Sequence, residues 1–401
     1  MKVTSILPLV AVSALAMSAA SNQSPAVAAP KSQKVEVGAY YFPGYHSEPR
    51  MDTYHPANWN EWQLMKDAKP RYPGHQQPKV PLWGYEDESD IKAMEKKIQA
   101  AADYNVDAFI FDWYDYDGPF LEKPLNQAFL KAKNRNKVKF ALMWANHDWL
   151  NIMPRRAGEP EPLIFPGKVT NESFDRICDH VIKDYFSQPN YWKINGKPYF
   201  SIYDLGKLLE SFGTTEATKA AFNRFRAKTI AAGFPGLDLN VVLWGNYVLP
   251  GESEPARYSR LVKVLGIDSA TSYVWIHYAG MPTLETPYND VFDRYIGAWD
   301  KIRDDISVPY YPNVSIGWDQ SPRMAQDQEY SRFGVNTIGG NTPERFEEAL
   351  RFTKNRLLQD PNGPRVITIN SWNEWTEGSY LEPDTINKFG YLKAVKNVFG
   401  K

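Results

Sequence analysis

From residue 37 onward, short apolar runs alternate with longer stretches whose apolar positions recur at helical spacing. The runs at 37–41, 107–113, 138–144, 198–203, 239–244, 267–274, 313–318 and 366–369 are rich in β-branched and aromatic side chains, which predicts strands. Helical periodicity predicts helices over 89–104, 121–136, 171–185, 216–232, 257–265, 288–305 and 343–359, and a last one over 387–398. Strand–helix units repeated in this way predict the α/β class and a (β/α)8 barrel. No self-similar repeat or low-complexity linker divides the chain, so one domain over 35–401 is expected. Helix-to-strand connections are short (105–106 and 233–238). Strand-to-helix connections are long (42–88, 145–170, 275–287 and 319–342). In such a barrel the long ones all emerge on the catalytic face, so their lengths predict a walled cleft there.

The eighth run carries the densest chemistry. It reads V-I-T-I-N-S-W-N-E-W-T-E-G-S-Y-L-E-P-D over 366–384. Glu374 and Glu377 stand three apart, among Asn370, Trp372, Asn373 and Trp375. A continuing strand would send the two carboxylates to opposite faces. A helical turn after Glu374, eased by Gly378, would bring them to one face. A bare E-x-x-E is ordinarily a solvated turn. Crowded by indoles and amides at a strand end, it suits glycosidic bond cleavage, where one carboxyl protonates the leaving oxygen and the other acts as base or nucleophile. Glu374 and Glu377 are the candidate catalytic pair.

Nearly every expected strand ends in aromatic and amide or acidic residues. The candidate substrate contacts are Tyr40 and Tyr41; Asp112, Trp113 and Tyr114; Trp144, Asn146 and His147; Tyr203; Trp244 and Asn246; Tyr273 and Trp275; Trp318; and Trp372 and Asn373. Any one of them fits a packed core equally well. Gathered at one end of a barrel, they predict a ligand site.

Composition narrows the partner. The 401 residues carry a net charge of −1 with no long run of one sign, which argues against nucleic acid. Aromatic residues make up 14%, with 13 tryptophans. Flat rings stack on the apolar faces of sugars, so an oligo- or polysaccharide is the expected substrate. Cys178, the only cysteine, falls at helical spacing with Phe174, Ile177, Val181 and Tyr185 and is expected in the core. The histidines show no zinc spacing, and Asp112, Asp115 and Asp117 lack the closing acid of a calcium loop. No metal or cofactor is expected. No G-x-S-x-G or phosphate-cradling loop occurs. At the start, Lys2, an apolar run over 6–17 and small residues up to Ala20 and Ala29 read as a secretion signal over 1–29. That run is too short to span a membrane, no later one does better, and a periplasmic or extracellular setting is expected.

Four motifs resemble a known family: A-Y-Y-F-P-G-Y-H at 39–46, D-W-Y at 112–114, W-A-N at 144–146 and W-N-E-W-T-E-G-S-Y-L-E-P at 372–383. They are similar to glycoside hydrolase family 99 and its wider WbsX-like relatives. The resemblance implies a barrel and retaining endo-action on α-mannosides. It places the catalytic carboxylates on Glu374 and Glu377. It further implies that Glu374 takes the proton of the sugar 2-hydroxyl as that oxygen attacks C1, giving a 1,2-anhydro sugar. Glu377 would protonate the departing oxygen and then activate water. Many relatives carry N-E-x-W after the third strand, where this chain has Asn146, His147, Asp148 and Trp149. Some relatives are described as glycosyltransferases. A non-catalytic glycan-binding barrel and a glycosyltransferase are therefore the alternatives to a hydrolase.

Overall fold

Parallel strands fill eight positions around a barrel in chain order. They are β1 (Glu36–Tyr41), β2 (Ala108–Asp115), β3 (Lys139–Trp144), β4 (Lys197–Ile202), β5 (Asp238–Val242), β6 (Ser269–Thr271), β7 and β8 (Val366–Asn370). β7 comes in two pieces, Tyr310–Tyr311 and Asn313–Ser315, separated by Pro312. The first piece pairs with β6 and the second with β8. β8 in turn pairs with β1, Val37 beside Ile367 and Ala39 beside Ile369. The barrel therefore closes through β7, and the break falls at the residue that lacks an amide donor. This computed structural model describes residues 34–400 together with Met1. The rest of the expected secretion signal, 1–29, lies outside the described residues.

The (β/α)8 expectation holds, with local departures. Helices at Tyr288–Asp305 and Pro343–Gln359 match the periodicity. The helix expected over 121–136 is instead a chain of short turns, Pro124–Ala128, Phe129–Lys131 and Arg135–Lys137. Pro124 cannot donate from its nitrogen, and Ala132 turns extended at φ −59°, ψ 135°. The helix expected over 171–185 is regular through His180, then widens into a π-turn at Val181–Phe186. Short helices at Trp62–Asp67, Leu205–Phe212 and Ile276–Ala279 lie between strands and their following helices, too brief for periodicity to reveal.

From Lys34 the chain forms one compact unit. β2 is buried at every residue, as a strand covered on both faces must be. Part of the barrel interior is polar. Ser201 donates to Asn240, Asn240 to Ser269 and Ser269 to Asp238, at 2.8–2.9 Å. Each of these four side chains has a partner, which removes most of the cost of burying it. Cys178 is buried among the helices, as expected. No helix among the described residues is long and apolar enough to cross a membrane.

Candidate active site

Beyond Asn370 the chain leaves the barrel and doubles back. Asn373–Glu374 pairs antiparallel with Ser379–Tyr380. A single 3-10 turn, Trp375–Glu377, joins them. Gly378 closes it at φ 65°, where a side chain would also meet the Asp319 Cβ at 2.8 Å. The turn brings Glu374 and Glu377 to one guanidinium. Arg323 Nη1 lies 2.5 Å from Glu377 Oε1, and Nη2 lies 3.2 Å from Glu374 Oε2.

Arg323 sits on the turn Ser321–Arg323 after β7. The loop after β3 holds that turn across the barrel mouth. The Arg155 amide donates to the Arg323 carbonyl at 2.7 Å, and the Ala325 amide to the Arg155 carbonyl at 2.8 Å. A third acid, Glu61, reaches the same guanidinium at 3.2 Å and accepts from the Thr376 hydroxyl. On the far side of Glu374, the Tyr273 hydroxyl donates to Asp112 Oδ2 at 2.9 Å and stands 3.2 Å from Glu374 Oε1. One phenol proton cannot serve both acids.

Three carboxylates thus share one cation, and Asp112 stands beside Glu374 through Tyr273. Burial pushes Glu374 well above the usual carboxylate range; the charge of Glu377 adds to this and Arg323 opposes it. Glu377 is also raised, chiefly by burial, with Arg323 pulling it back. Burial raises Asp112 as well, against the Tyr273 hydrogen bond. Asp112 Oδ1 and Glu377 Oε2 are buried with no hydrogen-bond partner. Unpaired buried oxygens of this kind are costly, and a bound hydroxyl would satisfy them.

A buried ionic cluster supports the hairpin from behind. Lys97 Nζ lies 2.6 Å from Glu88 and 2.7 Å from Glu382. Glu382 accepts from the indoles of Trp372 and Trp375 at 2.9 and 2.8 Å. Glu88 accepts from the Tyr41 hydroxyl and the Asn373 amide. Asn373 also grips the Phe42 backbone, accepting from its nitrogen at 2.8 Å and donating to its oxygen at 2.6 Å.

The expected substrate contacts divide by strand parity. Asp112, Tyr114 and Tyr273 face the carboxylates, and Tyr114 feels the charge of Asp112 and Glu374. His147 rings up with Tyr114, Trp149 and Tyr203. Half-buried Tyr203 stacks on Trp244 at 5.6 Å, and their neighbour His277 was not among the expected contacts. Asn246 is exposed beyond them.

The remaining expectations need correction. Tyr41, Trp113, Trp144, Trp275 and Trp372 point outward into the barrel–helix layer. Trp113 donates to Glu122, Trp275 packs on Tyr288 and Tyr295, and Trp144 packs on Phe174. Tyr40 is fully buried inside the barrel, bonded to the Ser272 carbonyl. The amides of Asn146 and Asn373 are spent within the protein, Asn146 tying the ends of β3 and β4 through Asp204 and Asn373 holding Phe42 and Glu88. Trp318 lines a separate cavity. Arg323 and Glu61 are what sequence reading missed; both lie in irregular loops with no motif to mark them. Among the described residues no group of three or more His, Cys, Asp or Glu could hold a metal ion.

Residues 37–395 match the family described as "Glycosyltransferase WbsX". The "Uncharacterized protein WxcX" of two strains of Xanthomonas campestris pv. campestris is 26% identical over 389 and 388 residues. These matches cover 92% of this chain and 50% of each relative, so the chain spans about half the length of the curated relatives it matches. Among solved structures, the GH99 endo-alpha-mannosidase from Bacteroides thetaiotaomicron superposes with a TM-score of 0.51 at 14% identity, covering 90% of this chain and 96% of that one. A "Glycoside hydrolase-like protein" reaches 0.56 at 15% identity, covering 94% and 97%. At these identities the likeness is one of fold. With the family match running from β1 to the last helix, the chain belongs to the WbsX family and is built on a barrel of the GH99 kind.

Proposed function

We propose that the barrel is a glycoside hydrolase acting on an oligo- or polysaccharide, with Glu374 and Glu377 as its acid–base pair. The supporting observation is that both carboxylates meet on Arg323 at the strand-end mouth, beside buried oxygens that lack partners. Two carboxyls whose pKa values are raised by burial can provide both an acid and a base. Half-buried Tyr203 and Trp244 offer flat faces to a sugar ring nearby.

In the retaining route implied by the resemblance, Glu374 accepts the 2-hydroxyl proton while that oxygen bonds to C1. The C1–oxygen bond to the leaving sugar breaks, and Glu377 protonates the departing oxygen. Water then gives a proton to Glu377 and adds to C1, and Glu374 returns its proton to the sugar oxygen. An α-mannoside is the proposed substrate type, following the similar endo-alpha-mannosidase fold.

Burial raises both carboxyls, and Arg323, which lies nearer Glu377, opposes the rise at each. An exported setting goes with this reading, and amino-terminal sequencing of the protein recovered outside the cytoplasm tests it. The activity test is a panel of purified polysaccharides, α-mannans included, read for new reducing ends. Release by the native protein, absent from Glu374→Gln and Glu377→Gln, is expected. Binding without release would make it a glycan-binding barrel, and product formed only with an activated sugar donor would make it a transferase.

A further inference from the structure

A cavity of about 220 Å³ opens between the loops that follow β1, β6, β7 and β8. Gly378 and Asp319 stand in its wall, while Arg323, Glu374 and Glu377 do not line it. Its chemistry is that of a small polar ligand site. Trp318 supplies an indole wall, Tyr72 a phenol, and Lys79, Glu285 and Asn341 polar groups around the rim. The side chains of Lys79, Glu285 and Asn341 have no hydrogen-bond partner among the described residues. The two rim charges are opposite in sign, and the Asp319 carboxylate in the wall is engaged by His75 and Gln77. The volume lies below the ~300–1,000 Å³ of sites for drug-sized ligands.

The walls are built rather than loose. The Tyr72 hydroxyl pairs with Thr337 Oγ1 at 2.6 Å, and its ring stacks on His75 at 4.3 Å. His75 Nδ1 accepts from the Arg71 amide at 3.0 Å, so its other nitrogen donates to Asp319 Oδ2 at 2.9 Å. Gln77 donates to the same oxygen at 2.7 Å. The Asp319 amide donates to the Glu377 carbonyl at 2.6 Å, joining the cavity wall to the turn that carries the carboxylates.

We propose that this cavity is an accessory site for one uncharged pyranose ring, held against Trp318 and hydrogen-bonded by Lys79, Glu285 and Asn341. The choice of a sugar rests on the glycan reading of the barrel mouth. An indole wall beside alternating donors and acceptors is the arrangement a pyranose needs, with its apolar face and its ring of hydroxyls.

The test is binding, separated from catalysis. Methyl glycosides of mannose, glucose, galactose and N-acetylglucosamine are titrated into the Glu374→Gln/Glu377→Gln double variant, followed by ligand-observed NMR. Saturable binding of at least one is expected. Asn341→Ala and Lys79→Ala, both at the rim, should each weaken it, and Trp318→Ala should weaken it about tenfold or more. Thermal unfolding confirms that each variant is folded. Absence of saturable binding across the panel, or binding untouched by the rim substitutions, would overturn the proposal. Neither result bears on whether the native protein releases reducing ends, so the two readings fail separately.

Discussion

Arg323 holds Glu377 at 2.5 Å and is the only cation within ion-pair distance of Glu374, Glu377 or Glu61 among the described residues. Removing it strands three buried acids. Arg323→Met should cost about 3–5 kcal/mol, the usual penalty for breaking a buried ion pair from one side. The loss should depend on pH. Without Arg323 the acids hold their protons more tightly in the folded state than in the unfolded one. Stability is then intact below the ordinary carboxylate range and is lost as pH rises through the raised values. Melting curves from about pH 4 to about pH 8 should therefore diverge from wild type as pH increases. Parallel curves would refute this.

Glu374→Gln should act in the opposite direction on stability. The native carboxyl is raised by burial and by Glu377, so ionising it at neutral pH destabilises the fold. A neutral amide escapes that cost, and Arg323 keeps Glu377 and Glu61. The expected result is a Tm a few degrees above wild type at neutral pH, with the gain vanishing in acid, where Glu374 is protonated anyway. A lower Tm at neutral pH would argue that Glu374 is structural.

Substrates with different leaving groups separate the two acids. If Glu377 protonates the leaving oxygen, Glu377→Gln should lose about 10²–10⁴-fold on a sugar leaving group and much less on an activated aryl glycoside, which departs without a proton. Glu374→Gln should lose rate on both. The reverse pattern would exchange the roles.

The cluster behind the hairpin gives a fourth expectation. Lys97 is fully buried between Glu88 and Glu382. Lys97→Met leaves two buried acids facing each other and should cost about 3–5 kcal/mol. Adding Glu88→Gln should recover part of it. Additive losses in chemical unfolding of the double variant would mean that the two residues are not coupled.

Much of the barrel could be read from the chain because a strand buried on both faces and a helix with one apolar stripe leave different periods. The pair Glu374 and Glu377 was readable for a local reason: the turn that aligns them is four residues long and ends in Gly378. Arg323 and Glu61 were not, because they reach the pair from loops 54 and 315 residues away in sequence from their partners Glu377 and Thr376. Parity would have sorted the aromatic residues. On β2, Asp112 and Tyr114 face in and Trp113 faces out; on β1, Tyr40 faces in and Tyr41 out. Counting by twos from Asp112 sets Trp113 aside from the sequence alone.

The grip of Asn373 on the Phe42 backbone spans 331 residues. During synthesis, β1 and its loop emerge early and wait without this partner. The pocket cannot be assembled by any nascent chain that stops short of the final hairpin, however much of the barrel has already condensed. A complete barrel mouth should therefore appear abruptly once residues 373–380 have been made, and products that stop before them should lack it even where they retain most of their strands.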